Sequence, residues 1–500
     1  MNEFDFLCPP ANQHNQGVIN WKNISRVLGI LLFMGAGLLL VCIGVSWIYG
    51  EKEMIYFFYT ILINLGVGGV LLLIGRNADP SLTRRDAYCI VSFTWILFTS
   101  FGMLPFWLSG KIPSVTDAFF ETMSGFTTTG ATILNNIESL PHSMLFWRSL
   151  ISWIGGLGIV FFTIALLPFA SGGSTNLFFA EATGVKHDKI KPKIDVMAKW
   201  LWTVYIILTV AETILLMFGG MSLFDAVCHA FTTTATGGFS TKQNSISYWN
   251  SPYIEYVVSI FMILSGVNFS LYFLCLKGRF DKLFKDDELR WFLKSIITLT
   301  LIIAAALVVH NHYDCETAFR KALFQVATVH TSCGFATDDY NLWPPFTWLL
   351  LLYAMISGGC TGSTSGGLKD MRVMIVAQCI KNEFKRVLHP KAVLPVRVNK
   401  EAIDAPTVTA VHTFVVFYLL CVFVGWLSLM FLGVGLPEAL GTVVSSIGNV
   451  GPGLGAFGPV YSWAALPDAA KWILSFLMFI GRLELYGVLL LFSRSFWQNS

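Results

Sequence analysis

Apolar residues along this chain come in long unbroken runs, not in alternation and not as narrow stripes. Ten runs reach the roughly 20 residues that a helix needs to cross a bilayer. They lie at about 24–48, 55–75, 86–109, 145–169, 196–219, 252–276, 290–310, 346–379 (interrupted), 405–432 and 470–494. Membrane strands alternate and are shorter, so the runs predict helices. From the third run onward, each pair of runs encloses a shorter segment of about three amphipathic turns that ends in a Thr-, Ser- and Gly-rich stretch. The four stretches contain Thr128-Thr129-Gly130-Ala131, Thr236-Gly237-Gly238-Phe239, Ser332-Cys333-Gly334-Phe335 and Ser446-Ile447-Gly448-Asn449.

The four segments also match upstream. Asp117-Ala118 precedes Gly130 by 13 residues, Asp225-Ala226 precedes Gly238 by 13, and Lys321-Ala322 precedes Gly334 by 13. Gly238 is preferred to Gly237 because Gly238-Phe239-Ser240-Thr241 then aligns with Gly334-Phe335-Ala336-Thr337. The fourth lead-in, Glu438-Ala439, stands three residues closer to Gly448. A three-turn helix cannot cross the bilayer, so it re-enters on its own side. Two full spans then bring every unit back to the same face, and four parallel repeats can surround one axis. The expected fold is all-α and integral to the membrane. It comprises ten transmembrane helices, with four fused helix–pore loop–helix repeats around a central pore and an N-terminal hairpin. The divisions are 1–80 (N-terminus and hairpin), 81–194, 195–285, 286–400 and 401–500.

Non-helical backbone at membrane depth is tolerated only where it is buried or lines water. Glycine lets successive carbonyls turn toward an axis, and a ring of carbonyls replaces the hydration shell of an alkali cation. The re-entrant helices aim their partially negative ends at the same place. One such loop is an ordinary turn. Four with matched lead-ins predict a cation filter built from residues 128–131, 236–239, 332–335 and 446–449.

Charge orients the chain. Hydrophobic residues make up 55% of the sequence and charged ones 13%, against about 25% charged in soluble domains. Segments 1–26, 76–85, 186–199, 277–294, 369–400 and 494–500 hold 25 of the 33 Lys and Arg residues. The positive-inside rule therefore puts both termini in the cytoplasm. The net charge of +3 resides mostly in these loops and needs no nucleic-acid partner. No cleavable signal peptide is expected, because the first 20 residues are polar with Pro9 and Pro10. The ten cysteines show no CxxC pairing, so neither a disulfide framework nor a zinc site is expected.

Two features break the repeat. Span eight contains Ser357-Gly358-Gly359-Cys360-Thr361-Gly362-Ser363-Thr364-Ser365-Gly366-Gly367, all small. It reads either as a broken helix able to gate the pore or as close helix packing through Gly358, Gly362 and Gly366. Arg482 lies within span ten, where an unpartnered charge costs at least about 2.5–3.5 kcal/mol. It reads as a pore-facing electrostatic barrier or as part of a structural pair with another helix, in which Glu484 is a candidate.

Weaker motifs add little. Gly451-Pro452-Gly453-Leu454-Gly455 follows no strand and is no nucleotide loop. His310 and His312 sit at a membrane edge without further ligands. Trp147, Trp153, Trp249, Trp343 and Trp348 are expected in interfacial belts. Glu212 and Asn268 suit either a vestibule or a cap. The spans lack the clustered His, Asp, Glu, Ser or Lys groups of a membrane-embedded enzyme.

The four loops, the interrupted eighth span and the basic residue in the last span resemble the Trk/Ktr/HKT superfamily of potassium transporters. The resemblance covers residues 24–494 and lies closest to the TrkH/TrkG potassium-uptake subunits. The extra hairpin separates the chain from the eight-span Ktr type, whose sodium-coupled transport is the alternative. The resemblance implies potassium as the ion, with Gly130 at a position where glycine accompanies potassium selectivity. It implies a gate at residues 358–367 and Arg482, a homodimer, and the bacterial cytoplasmic (inner) membrane. It also implies a cytoplasmic TrkA-type regulatory subunit that carries the nucleotide, so no organic cofactor is expected in this chain.

Overall fold

The computed structural model describes residues 19–78, 83–158, 194–276 and 278–498. The end of the fourth expected span, 159–169, the basic stretch 186–193 and the first 18 residues lie outside the described residues. Among the described residues the chain is helical, with one hairpin of two-residue strands, β1 (Arg397–Val398) against β2 (Glu401–Ala402). A leading pair, α1 (Trp21–Ile48) and α2 (Met54–Ile74), packs through glycine: a β-carbon on Gly29 would stand 2.8 Å from the Gly68 carbonyl oxygen.

Four similar units follow. The first is α3 (Arg84–Gly102), α4 (Val115–Phe126) and α5 (His142–Leu157). The second is α6 (Ile194–Phe218), α7 (Leu223–Thr234), α8 (Pro252–Ser265) and α9 (Phe269–Leu276), followed by a short α10 (Phe280–Lys285). The third is α11 (Asp287–Asn311), α12 (Cys315–His330), α13 (Pro345–Ser357) and α14 (Asp370–Leu388). The fourth is α15 (Ala405–Phe431), α16 (Leu436–Gly448), α17 (Asp468–Arg482) and α18 (Tyr486–Leu489).

The short helices α4, α7 and α12 start at side-chain caps. Ser114, Ser222 and Asp314 accept hydrogen bonds from the amides of Asp117, Asp225 and Thr317, which satisfies donors that a helix N-terminus leaves open. The Thr317 amide holds the Asp314 carboxyl below the usual carboxylate range, so this cap stays charged. The fourth short helix, α16, starts instead at Gly435 with a proline in its first turn.

Six single helices among the described residues are long and apolar enough to span a membrane. The sequence runs at 252–276 and 470–494 are not continuous helices. The first bends by 93° between α8 and α9, and the second by 108° between α17 and α18. Hydropathy alone cannot see such bends, because both limbs remain apolar. The aromatic belt also needs correction. Trp147 and Trp343 are 3% and 2% exposed, and their indole N–H groups donate to the Gly102 carbonyl (2.9 Å) and the Asp338 carboxylate (3.2 Å). These are core residues with a satisfied polar tip. Glu212 is fully buried on α6, and Asn268 accepts from the Ser270 amide (2.9 Å), capping α9. The nine described cysteines are free, and no metal-holding group of His, Cys, Asp or Glu occurs among the described residues.

Side chains lock the units into a ring. Within unit one Arg148 on α5 pairs with Glu121 on α4 (2.8 Å), and the same guanidinium crosses to unit two by donating to the Ser240 carbonyl (3.1 Å). Glu255 on α8 meets Arg320 (2.6 Å) and Lys321 (3.0 Å) on α12, joining units two and three. Units three and four share reciprocal bonds between Asn341 and Gly455, both 3.0 Å, and a bond from the Tyr340 hydroxyl to the Gly453 carbonyl. Lys471 on α17 reaches back to Asp117 on α4 (2.6 Å), closing four onto one.

The Arg148–Glu121 pair is buried on both sides, at 1% and 0% exposure. Removing one partner strands a charge and is expected to cost about 3–5 kcal/mol, whereas replacing both restores much of the loss. In detergent, Arg148→Met should therefore melt well below wild type, and Arg148→Met/Glu121→Leu should melt above the single variant. Equal melting of the two would show that the pair carries no such penalty.

Candidate cation pathway

Each short helix ends in the same turn. The residue after the helix or one beyond it, Thr128, Thr236, Ser332 or Asn449, is left-handed with φ of 53° in all four cases. The next amide then folds back five residues: Thr129 to Ser124 (2.8 Å), Gly237 to Thr232 (2.7 Å), Cys333 to Thr328 (2.7 Å) and Val450 to Ser445 (2.9 Å). This is the 6→1 bond of a Schellman-type helix end. A glycine of positive φ follows one residue later: Gly130 (80°), Gly238 (61°), Gly334 (94°) and Gly451 (107°).

These four glycines close a circle. A β-carbon on Gly130 would run into the Gly237 carbonyl oxygen, and one on Gly238 into that of Cys333. One on Gly334 would meet the Val450 carbonyl, and one on Gly451 the Thr129 carbonyl. In every case the obstacle is the carbonyl of the residue just before the next unit's glycine. The loops thus stack backbone against missing side chain around one axis.

The circle corrects the fourth register. Ser446, Ile447 and Gly448 belong to the last turn of α16, and Gly448 does not have positive φ. The residues equivalent to Thr128-Thr129-Gly130-Ala131 are Asn449-Val450-Gly451-Pro452. Helical hydrogen bonding continues through Gly448, and the chain first turns left-handed at Asn449, a residue type that tolerates that conformation. The 13-residue lead-in held the signal: Glu438 precedes Gly451 by 13 residues, as in the other units. The remaining twelve proposed filter residues lie on the three other loops.

The position nine residues before each glycine holds no common residue type: Glu121, His229, Gln325 and Thr442. In three units its side chain ties the short helix to its own loop's far side. The Glu121 carboxylate accepts from Thr132 and the Ile133 amide (both 3.0 Å), His229 bonds Ser240 (2.9 Å), and Gln325 donates to the Asp338 carbonyl (3.1 Å). Three different chemistries at one position give no sequence pattern. Arg148 adds a cation–π contact on Phe239, 4.0 Å from its ring centroid.

Beneath the loops, the second long helix of every unit stops. α5 ends at Leu157 before Gly158 (φ 84°), α8 bends after Ser265, α13 ends at Ser357 before Gly358 (φ 73°), and α17 ends at Arg482. The break expected for span eight alone thus recurs in units two and four, and the unit-one helix also ends, at Leu157. Gly155 and Gly481 lie against carbonyls four residues before their own units' glycines, those of Phe126 and Ile447. Only glycine fits there.

Residues 358–369 form no helix, and Gly358 and Gly362 take left-handed φ of 73° and 76°, which rules out a helical small-residue stripe. The segment doubles back so that Gly358 abuts Gly366 and Gly367, with Gly359 against Ser365. Its bonds reach outward. The Thr361 amide donates to Glu288 (2.6 Å) and the Phe269 amide to the Gly362 carbonyl (3.1 Å), while the Ser363 hydroxyl donates to the Cys360 carbonyl within the segment (2.6 Å). Thr364 donates to the Thr234 and Ser265 carbonyls (3.1 and 3.2 Å), and the Gly366 amide to the Ser332 hydroxyl (2.5 Å). Arg482 bridges this segment to unit one. It donates to the Thr364 carbonyl (2.8 Å) and to the Gly155 and Gly156 carbonyls (2.6 Å each). Glu484 pairs instead with Arg372 (2.6 Å).

A family profile described as TrkH, cation transport protein, matches residues 53–499. The Trk system potassium uptake protein TrkH of Salmonella typhimurium is 39% identical over 486 residues, covering 96% of this chain and 100% of that protein. The corresponding TrkG of Escherichia coli K12 is 35% identical over 483 residues, covering 95% and 98%. The crystal structure of the potassium transporter TrkH from Vibrio parahaemolyticus aligns with a TM-score of 0.86 at 34% identity, over 95% of this chain and 99% of that chain. The six helices long and apolar enough to span among the described residues, the ring of loops and these likenesses together make this chain a multi-pass membrane protein that belongs to the TrkH family of cation transport proteins.

Proposed function

We propose that the protein takes up potassium across the bacterial cytoplasmic membrane, through a filter made by the four loops. The observation that carries this reading is the closed circle of glycines and carbonyls. It puts sixteen residues of non-helical backbone round one axis, at 128–131, 236–239, 332–335 and 449–452. Carbonyls in such a ring substitute for the water around a large alkali ion. The relatives' names, potassium uptake protein and potassium transporter, support potassium as that ion. Four pore units, 81–194, 195–285, 286–400 and 401–500, would then follow the hairpin 1–80, both termini being cytoplasmic.

The small-residue segment 358–369 serves as the gate, with Arg482 as its charged bolt. The segment touches units two, three and four, and Arg482 carries the contact to unit one. Relatives named for a Trk system support further components: a homodimer and a cytoplasmic TrkA-type subunit that binds the nucleotide and moves the gate. The leading hairpin favours this arrangement over the eight-span, sodium-coupled Ktr type.

The primary test is growth of a potassium-uptake-deficient bacterium at low potassium, with the partner subunit supplied. Expression of the chain should restore growth, and failure of a well-expressed chain counts against the reading. Two variants sharpen the test. A β-carbon at a left-handed residue costs about 1–2 kcal/mol, which is worth roughly tenfold in relative affinity. Gly130→Ser and Gly451→Ser should each lower potassium-over-sodium preference about tenfold in ion-replacement flux. An unaltered preference in Gly451→Ser would contradict the corrected register.

Arg482→Ala removes charge-assisted bonds worth about 1.5–3 kcal/mol each from the closed gate. Potassium flux into proteoliposomes should rise at least about tenfold. Unchanged or lower flux in a folded Arg482→Ala protein would sink the bolt.

A further inference from the structure

The connection between units two and three has properties the ion pathway does not use. Helix α11 runs for 25 residues, about 37 Å at 1.5 Å per residue, which is the hydrocarbon thickness and a little more. Its first residue, Asp287, therefore lies at the membrane–water boundary, on the face that the positive-inside rule assigns to the cytoplasm. Helix α10 ends at Lys285, so it lies at that same depth.

At this depth α10 is two-sided. Phe280 and Phe284, one turn apart, are 58% and 70% exposed, while Leu283 turns inward against the core. Lys282 and Lys285 occupy the opposite side and are exposed, as is Arg279 just before the helix. Asp281 is the helix's own acid, 3.8 Å from Lys285 in a pair exposed on both sides. The next three acids are turned away. Asp286 accepts from the Leu289 amide (2.8 Å), Asp287 from the Asn399 amide (2.7 Å) and Glu288 from the Thr361 amide (2.6 Å). Arg290 folds over the helix end and donates to the Phe284 carbonyl (2.8 Å). The outward surface thus combines two aromatic rings with an excess of positive charge.

We propose that α10 is a docking surface for anionic phospholipid of the cytoplasmic leaflet. Phe280 and Phe284 enter the boundary between headgroup and acyl chain, and Arg279, Lys282 and Lys285 hold the phosphates. Aromatic residues on one face with lysine on the other, placed at interfacial depth, are what an in-plane membrane helix requires. The adjoining Asp287 and Glu288 bind the 396–403 hairpin region and the small-residue segment. A lipid seated on α10 therefore lies one turn from groups that touch the proposed gate.

The test uses the full-length protein in nonionic detergent, titrated with mixed micelles of either phosphatidylglycerol or phosphatidylcholine while melting is followed. No ion flux is read, so the outcome is separate from that of the transport reading. Phosphatidylglycerol should raise the melting temperature saturably, and phosphatidylcholine should not. Each basic residue near an anionic surface contributes about a factor of five. Lys282→Gln/Lys285→Gln should thus weaken the effect about thirtyfold and abolish it over the range that saturates wild type. Phe280→Ser/Phe284→Ser should also lose it, with an unchanged lipid-free melt because both rings are exposed. Equal responses to the two lipids, or an unaltered titration in the lysine variant, would overturn the proposal. A surface reserved for a cytoplasmic protein would give that second result.

Discussion

The structure depends on the packing of backbone against backbone at the four loops. Inside a membrane every amide and carbonyl must find a partner in the protein or in enclosed water. A loop that turns its carbonyls to an axis gives up helical bonds to do so. The left-handed residue and the amide that folds back five residues recover part of that loss locally. The rest comes from the neighbour: the carbonyl before each glycine occupies the space where the preceding unit's glycine lacks a side chain. A contact of this kind transmits position without adjustable side chains. The four loops therefore share one diameter, and a β-carbon at any of the four glycines disturbs two units at once.

Ring closure is common to all four interfaces, but the means are not. A buried arginine, a glutamate between two cations, an amide and phenol pair, and a lysine on an aspartate each join one neighbouring pair. The braces sit on the helices and on the outer limbs of the loops. On the inner side the joints are made largely by hydroxyls, amides and one guanidinium donating to main-chain carbonyls. The braces between units two and three and between four and one are charge pairs, whereas the other two, like the inner joints, rest mainly on donors to main-chain carbonyls.

The all-helical membrane fold, the short helices and three of the loops were legible in the sequence because they rest on local rules. Apolar length, matched 13-residue lead-ins and glycine at forced left-handed positions each leave a mark on the sequence. The fourth loop was misplaced because a helical Ser-Ser-Ile-Gly resembles a Thr-Thr-Thr-Gly turn in composition. Only the spacing from Glu438 to Gly451 distinguishes them. The bends after Ser265 and Arg482 left no hydropathy mark, since both limbs are apolar. Glu121, His229 and Gln325 were hidden for another reason. They do one job at one position with three chemistries, and such equivalence exists in space, not in letters.

The shared breaks clarify why a single segment and a single arginine stand out. Each second long helix stops below the loops, but a simple bend clears only its own quarter of the ring. The twelve residues of 358–369 are long enough to reach the neighbouring units, and their glycines permit the doubling back that a helix forbids. Arg482 supplies the last contact, on carbonyls at the end of α5 and at Thr364. Those carbonyls carry the partial negative charge of a helix end and of an open loop. On the proposed reading, a guanidinium leaving them leaves acceptors without a donor where an ion would emerge from the filter. On that reading, Arg482 and the transported cation compete for one set of oxygens. Displacement of the bolt and onward passage of the ion are then two sides of one exchange.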